Sequence, residues 1–282
     1  MADKLDNSIE CHFSESMDTI DNRYTAHPKY EIFLLIEGDV TMLINSQRYL
    51  IGNGALVLLN SKDLHISMNN APRMYKRITV MFDSRTIRQF NTERTNLLDC
   101  FKIATARQRN IIYLNPEQIA VFQSLASQIY KNCNSPAYGD DMIAFSSLVA
   151  LLVFINRMYR SHLPKVAPLP LTPIIRDIVD YVDSHIDEEI SVNELCRRFS
   201  YSVAYVSAQF SRQMGLPLKQ FIVTKKIALA KQLLDESLSV TQVCERCGFG
   251  DYSNFIRTFK KNVGVSPLQW RKEREAIRQR KN

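Results

Sequence analysis

The sequence has no apolar run long enough to form a membrane span. A spanning helix needs about 20 apolar residues, and the longest candidate, residues 142–155, is interrupted by Ser146 and Ser147. The first residues are polar and acidic, with Asp3 and Asp6, which is unlike a secretory signal. We therefore predict a soluble cytoplasmic protein with no membrane partner.

The sequence also lacks the motifs of common enzymes. It has no Ser-His-Asp arrangement, no phosphate-binding glycine loop and no dinucleotide fingerprint. Cys244 and Cys247 are spaced like half of a zinc site, but no second such pair and no histidine pair completes it. Both fall on the inner face of a short predicted helix, so we interpret them as small core residues in a reducing compartment. These absences predict no catalytic residue, no metal and no cofactor.

Acidic residues are scarce in the last third of the chain. Residues 190–282 carry 17 Lys and Arg against 7 Asp and Glu, whereas residues 1–189 carry 19 against 22. The net charge of +7 is therefore concentrated in the carboxyl-terminal third. A basic face can be merely solvated, but its concentration in one region favours a polyanionic partner.

A stretch within this basic third has the pattern of two short helices joined by a glycine turn. Ser239 and Gln242 have the spacing of a capping box, so a helix begins there. Gly248 and Gly250 interrupt it, and a second helix follows from about Asp251. The second helix places aromatic residues on a buried face and polar or basic residues elsewhere: Phe255 and Phe259 against Tyr252, Ser253, Arg257 and Lys260. This is a helix-turn-helix pattern, with an ordinary helical hairpin as the alternative.

The same pattern occurs a second time in the sequence, nearer the amino terminus. Ser191, Val192, Cys196 and Arg198 precede Ser239, Val240, Cys244 and Arg246 by 48 positions, and Phe210, Gly215 and Gln220 precede Phe259, Gly264 and Gln269 by 49. Ser191 and Glu194 have the spacing of a second capping box. Two such units could read two successive major grooves, about 34 Å apart.

The second copy resembles the signature of the AraC/XylS family of bacterial transcription regulators. The matching residues are Gly248, Phe249, Ser253, Phe255, Arg257, Phe259, Lys260, Lys261, Gly264 and Pro267. Trp270-Arg271 stands where Tyr-Arg is usual, and the match extends over roughly residues 172–275. The resemblance implies double-stranded DNA as a partner, a small-molecule effector with sugars as one candidate, a homodimer, and contact with RNA polymerase.

The resemblance also assigns roles in the first helix-turn-helix. Ser202 should cap its recognition helix, and Ala204, Ser207 and Ala208 take the positions that reach base edges. Ala208 offers only a methyl contact, for example to thymine, so direct readout by this unit should be weak. Arg212 and Lys219 are assigned to the phosphate backbone, which positions the protein without reading sequence.

In the second helix-turn-helix, Tyr252, Ser253 and Arg257 take the base-facing positions. Lys260 and Lys261 are better placed for the DNA backbone. We predict that Arg257 is the principal base reader, since a guanidinium can bond guanine in a bidentate way. The alternative for Arg257 is an ion pair within the chain.

Between the two units, residues 218–235 predict one long helix. Its apolar residues define a buried side, with Phe221, Ile227, Ala230 and Leu234, and its lysines an exposed side, with Lys225, Lys226 and Lys231. The lysines could contact phosphates or could simply be solvated.

The first part of the chain predicts short strands over residues 24–82. The apolar runs 32–36, 40–44, 56–59 and 78–82 are separated by turn residues. Many short strands of this kind favour a small barrel or jelly roll.

A pattern within these strands resembles the cupin motifs. His27, Glu31 and His65 stand where metal cupins have ligands, but Thr25 replaces a usual ligand histidine. Sensor domains of the AraC family keep the cupin barrel and mostly bind organic effectors without metal. We therefore predict that these three residues anchor an effector. The alternative is that they are hydrogen-bonded residues of the barrel wall.

Two helices and a linker complete the first region. Asn115 followed by proline predicts a helix start, and a second helix should run from about residue 140 to 160. Its middle, residues 148–155, is apolar nearly all round, so we predict that it covers the barrel and that the helices between Asn115 and Arg160 form a homodimer interface. A purely intramolecular role is the alternative. Residues 161–173 hold four prolines and predict a semi-rigid linker.

The sequence therefore predicts a two-domain protein. Residues 1–160 form a cupin-like domain with trailing helices for effector binding and dimerisation, and residues 174–282 form an all-α DNA-binding domain. The predicted function is a ligand-controlled transcription regulator that is not an enzyme. The alternatives are a metal-dependent cupin enzyme fused to a DNA-binding module, and a regulator controlled by a protein partner.

Overall fold

The computed structural model describes residues 8–17, 29–61, 63–70, 74–106, 109–161, 166–236 and 238–279. The chain divides into two compact units, Met1–Leu169 and Pro170–Asn282, which we call the N-terminal unit and the C-terminal unit. The division falls within the proline-rich segment 161–173. Each unit has a hydrophobic core of its own.

Antiparallel strands form the N-terminal unit. Those described are β1 (Ile9–Ser16), β2 (Tyr30–Glu37), β3 (Val40–Ile44), β4 (Gln47–Ile51), β5 (Ala55–Leu59), β6 (His65–Asn69), β7 (Tyr75–Phe82) and β8 (Ile111–Tyr113). One sheet has the order β1-β7-β2-β5-β8 and the other the order β4-β3-β6. The four predicted apolar runs lie in β2, β3, β5 and β7, so the predicted β fold of this region is confirmed.

The larger sheet is covered on both faces. Phe33 and Leu35 of β2 lie in a core shared with the smaller sheet. Ile32 and Leu34 point to the opposite face, where they share a core with the helices of this unit. Because both faces are dry, β2 is a continuous apolar run rather than an alternating one.

Helices α1 (Ser84–Arg88), α2 (Asp99–Ala106), α3 (Pro116–Asn132) and α4 (Asp140–Arg160) follow the strands. Asn115 closes the predicted start of α3 with a full capping box: its Oδ1 accepts from the Gln118 backbone at 2.8 Å, and its own N–H donates to the Gln118 side chain at 2.9 Å. The start of α3 and both ends of α4 agree with the predicted helices to within one residue.

The middle of α4 is less completely buried than its composition predicts. Leu148, Leu151, Leu152 and Ile155 are buried against the N-terminal unit, but Val153 is half-buried and Ala150 is exposed. Helix α4 therefore has a core side and a partly open side. Leu152 is part of the core, so a charged substitution there would destabilise the fold and cannot test the predicted homodimer interface.

Among the described residues, α4 is also the one helix that is long and apolar enough to cross a membrane by length and composition. Half of its most apolar segment is buried within the protein. Core helices of soluble proteins pass the same test, so the feature has little weight.

The C-terminal unit is helical throughout its described residues. It contains α5 (Pro173–Ser184), α6 (Val192–Arg198), α7 (Val203–Met214), α8 (Leu218–Asp235), α9 (Val240–Arg246), α10 (Tyr252–Val263) and α11 (Pro267–Gln279). Helices α6 and α7 form the first helix-turn-helix, and α9 and α10 form the second. The predicted all-α region with two such units is confirmed.

The caps that begin the two helix-turn-helix motifs are similar but not identical. Ser239 and Gln242 form the predicted capping box at the start of α9. At α6 only half of the predicted box is present: Ser191 Oγ accepts from the Glu194 backbone at 3.4 Å, while the Glu194 carboxylate lies 4.0 Å from the Arg197 guanidinium. The prediction of a second full capping box was therefore wrong.

The prediction of an exposed lysine side on α8 was also wrong. Lys226 is buried and bonds to backbone carbonyls. Lys225 is half-buried and pairs with Asp183 of α5. Lys231 is half-buried with its Nζ 5.0 Å from the centre of the Trp270 ring, and burial lowers its pKa to about 8. Helix α8 is packed on several sides, so its lysines lie along helices and loops rather than in solvent.

Candidate functional sites

The two recognition helices, α7 and α10, present the same surface to solvent. From Val203 to Phe210 and from Tyr252 to Phe259 the order is identical: three exposed residues, one buried, one half-buried, one exposed, one half-buried and one buried. Phe210 and Phe259 are fully buried at the ends of these stretches. Each helix then ends at a glycine with a positive φ, Gly215 and Gly264, as left-handed helix ends require. The internal repeat therefore produces two equivalent exposed faces.

On α10 the predicted base-facing residues Tyr252, Ser253 and Arg257 are all exposed. The side chain of Asp251 caps the helix by accepting from the Asn254 backbone at 2.6 Å. Arg257 Nη2 donates to Asn254 Oδ1 at 3.3 Å. Its alternative partners would be Asp251 and Glu245, but no ion pair to either is present within the described part of the chain. Lys260 and Lys261 are exposed in the last turn.

On α7 the predicted face is less polar. Ala204, Ala208 and Arg212 are exposed, while Ser207 is half-buried. Ser202 caps the helix as expected, accepting from the Tyr205 backbone at 3.2 Å. Small side chains therefore occupy most of the positions that the resemblance assigns to base contact.

The sequence analysis missed an aromatic pair beside this face. The rings of Tyr201 and Tyr205 stack with centroids 5.4 Å apart, and each residue is 46% exposed. Two tyrosines four positions apart at the start of a recognition helix were the signal that could have identified them. Stacked, exposed tyrosines offer their outer ring faces and hydroxyls to a partner.

Two predicted effector residues meet inside the N-terminal unit. His65 Nε2 lies 3.1 Å from a Glu31 carboxylate oxygen, and both side chains are buried. His65 Nδ1 lies 3.1 Å from the Asp63 carbonyl. Burial alone would lower the pKa of His65, but the Glu31 carboxylate and the Asp63 carbonyl outweigh it and raise that pKa. His27, the third predicted residue, lies outside the described residues.

Further polar groups lie beside this pair, between the two sheets. Ser67, two residues after His65 on β6, is paired with Met42, whose side chain is in the core between the sheets. The Ser67 hydroxyl accepts from Tyr75 at 3.2 Å and from Arg77 Nη1 at 3.1 Å. The interior of the barrel therefore contains an acid, an imidazole, hydroxyls and a guanidinium within an apolar wall.

Over the described residues, no group of three or more His, Cys, Asp or Glu side chains is placed to hold a metal ion. Cys244 and Cys247 are both buried. Burial raises the pKa of the Cys247 thiol to about 12, and the Cys244 thiol donates to the Phe249 carbonyl at 3.6 Å. Protonated, buried thiols are poor nucleophiles and poor metal ligands.

A β-barrel unit with a polar interior, followed by a basic helical unit with two exposed recognition helices, is the architecture of a DNA-binding regulator with a sensor domain. Two family models match the chain: a helix-turn-helix domain over residues 195–273 and an AraC-like ligand-binding domain over residues 8–90. The chain belongs to the AraC family of transcription regulators.

Curated relatives agree with this assignment. The transcriptional activator RhaS of Salmonella schwarzengrund is 24% identical over 256 residues, covering 89% of this chain and 88% of RhaS. LumQ of Photobacterium leiognathi, a probable transcriptional regulator, is 34% identical over 94 residues. The chain spans 38% of LumQ and 13% of the larger regulator YtdP of Bacillus subtilis. A crystal structure of ToxT from Vibrio cholerae matches 94% of this chain and 97% of its own at 14% identity, with a TM-score of 0.41.

Proposed function

We propose that the C-terminal region, residues 174–282, reads operator DNA through α7 and α10, and that the N-terminal region, residues 1–160, binds an effector and dimerises. The observation that supports DNA reading is the identical exposure of the two recognition helices in the basic part of the chain. The protein regulates transcription in the cytoplasm and has no catalytic activity of its own.

The two helix-turn-helix motifs, α6–α7 and α9–α10, which we call the first and second heads, have unequal roles in this proposal. Base contacts come mainly from α10, and phosphate contacts from basic residues of both helices. The base-facing set is Ala204, Ser207, Ala208, Tyr252, Ser253 and Arg257, and the phosphate-contacting set is Arg212, Lys260 and Lys261. The α7 face can offer thymine a methyl contact but little hydrogen bonding.

The test of DNA reading is enrichment from a random duplex library by the full chain. We expect one sequence class to be enriched and its affinity to fall steeply with salt, because each phosphate contact releases counterions. A chain that enriches no sequence, or binds without salt dependence, contradicts the proposal.

We propose that the effector is a small polar molecule, a sugar for example, bound between the sheets near Glu31 and His65, with His27 as a third anchor. A carboxylate and an imidazole within an apolar wall suit hydroxyl groups. A ligand that binds only the folded protein raises its melting temperature, so a panel of sugars and sugar acids should contain compounds that stabilise the wild type and not His65→Gln.

Two other outcomes would favour the alternatives. Metal retained at one equivalent by untagged protein, and lost in His65→Gln, would favour a metal-dependent cupin. Control by a protein partner would be favoured if no small molecule raised the melting temperature and operator binding changed only on adding a cell fraction.

We also propose a homodimer through the open side of α4. Met142 is 60% exposed there, and Ser146 and Ala150 continue the same exposed stripe. Met142→Glu combined with Ala150→Glu should yield monomers in analytical ultracentrifugation. Lys131→Glu, an exposed change on α3, is the control. A folded double variant with unchanged assembly would place the interface elsewhere.

Because the relative RhaS is a transcriptional activator, we propose that this chain activates transcription through contact with RNA polymerase. Transcription in vitro from a promoter with the enriched site should increase on adding the protein. A decrease would indicate repression instead.

A further inference from the structure

Lys226 lies at the middle of α8, the helix that joins the two helix-turn-helix units. It is only 5% exposed. Its ammonium donates to three backbone carbonyls: Glu188 at 2.5 Å, Gly248 at 2.6 Å and Cys247 at 2.9 Å. An ammonium has three N–H donors, so these three carbonyls satisfy it completely.

The three acceptors come from segments that precede and follow α8 in the chain. Glu188 lies in the loop that leads into the first helix-turn-helix, between α5 and α6. Cys247 and Gly248 form the turn of the second, between α9 and α10. One buried side chain therefore joins the first head directly to the turn of the second.

The glycine turn allows this close approach. Gly248 has a φ of +61°, and a Cβ there would lie 2.1 Å from the Glu188 carbonyl oxygen. A Cβ at Gly250 would lie 2.8 Å from the Glu189 carboxylate. At Gly248 only glycine lets the turn pack on the loop at this distance, so the Gly248-Phe249 pair of the signature has a structural reason here.

Beside this junction the two heads are separated by a cavity of about 470 Å³. Ser191 and Asn193 line it from the first head and Phe249 and Asn254 from the second. Lys226 and Gly248 also line it, so the junction forms one wall of this cavity. A buried ammonium in such a place is a strong constraint, since removing it leaves the buried Cys247 carbonyl and two partly buried carbonyls without this donor.

We propose that Lys226 is a positioning residue that holds the two reading heads at one separation, and so sets the spacing between half-sites that the protein accepts. This inference rests on the proposed DNA reading by both heads. Two linked heads bind tightly when their separation matches that of the half-sites, because the second contact is then made at a high effective concentration. Loosening the junction lowers that gain and broadens the range of accepted spacings.

The test uses the full chain and duplexes derived from the library-enriched site. One duplex keeps the natural spacing, two change it by one base pair, and two have one half-site scrambled. We expect Lys226→Met to lose about tenfold on the natural duplex, to keep wild-type affinity on the scrambled ones, and to show a smaller penalty for altered spacing. Gln232→Met, an exposed change on the same helix, is the control and should leave the spacing penalty unchanged.

Two results would overturn the proposal: an unchanged spacing penalty, or an equal loss on every duplex. Lys226→Gln serves if Lys226→Met does not fold, because its amide keeps two donors and no charge. It should have a spacing penalty between those of the wild type and Lys226→Met, and a wild-type penalty would contradict the role.

A measurement without DNA separates this inference from the proposed function. Spin labels at Arg197→Cys and Lys261→Cys report the distance between heads, with Cys133→Ser included because Cys133 is the half-exposed native cysteine. The distance distribution should broaden in Lys226→Met. An equally narrow distribution refutes the positioning role even if DNA binding is confirmed, whereas a wild type that enriches no duplex refutes only the proposed function.

Discussion

Replacing Arg257 by alanine should remove the main sequence-reading contact of the protein. The side chain is exposed on α10, between the buried rings of Phe255 and Phe259, so its direction is set by a rigid helix. The hydrogen bond that the guanidinium donates to Asn254 Oδ1, at 3.3 Å, is long and exposed. Such a bond contributes less than about 1 kcal/mol and is easily exchanged for a base.

The expected loss follows from the geometry of a guanidinium on guanine. Two parallel hydrogen bonds to O6 and N7 contribute about 1–3 kcal/mol of discrimination, which corresponds to about 5- to 150-fold in affinity. Arg257→Lys is the matched control, because it keeps the charge but cannot form the bidentate pair. It should recover non-specific binding without recovering the base preference.

The assay is fluorescence anisotropy on the enriched duplex and on duplexes that each change one base pair. For Arg257→Ala the preference should disappear at one position and persist at the others. An equal loss on matched and mismatched duplexes would show that Arg257 reads no base. The specific contact would then come from Tyr252, Ser253 or the first head.

Three further predictions concern charge, packing and pH. Lys260→Ala should weaken binding to all duplexes alike and lower the slope of log affinity against log salt by about one unit, and a base-dependent loss would contradict the phosphate assignment. Phe259→Ala should lower the free energy of unfolding by about 3–5 kcal/mol in urea titrations, since the ring is fully buried against Phe255; a loss under about 1 kcal/mol would show that the core relaxes around the gap. The pKa of His65 is raised in the folded protein. Its pair with Glu31 therefore stabilises the fold fully below about pH 6.5, the pKa of histidine in the unfolded chain. This contribution is lost as the pH rises through the pKa of His65 in the folded protein. Unfolding at pH 6 and pH 8 should therefore differ less in His65→Gln than in the wild type, and an equal difference would exclude the pair as its source.

Much of the fold is encoded in short stretches of sequence. Asn115 with Gln118, and Ser239 with Gln242, determine helix starts because a capping box involves residues only three apart. Strands β2, β3, β5 and β7 and the ends of α4 follow from apolar runs and turn residues. The two recognition helices were predictable for the same reason, since the spacing of Phe255 and Phe259 fixes which side of α10 faces outward.

The tertiary structure decided what depends on residues far apart in the chain. Helical periodicity places Lys226 on a polar side of α8, but the loop at Glu188 and the turn at Gly248 enclose that side, and only their close approach makes it a buried junction. Similarly, Glu31 and His65 stand 34 positions apart in the sequence and belong to different sheets, and the packing of the two sheets brings them to 3.1 Å. Local patterns predict which face of a helix or strand is polar. Whether that face is buried, and which residues it contacts, depends on the long-range packing of other segments against it.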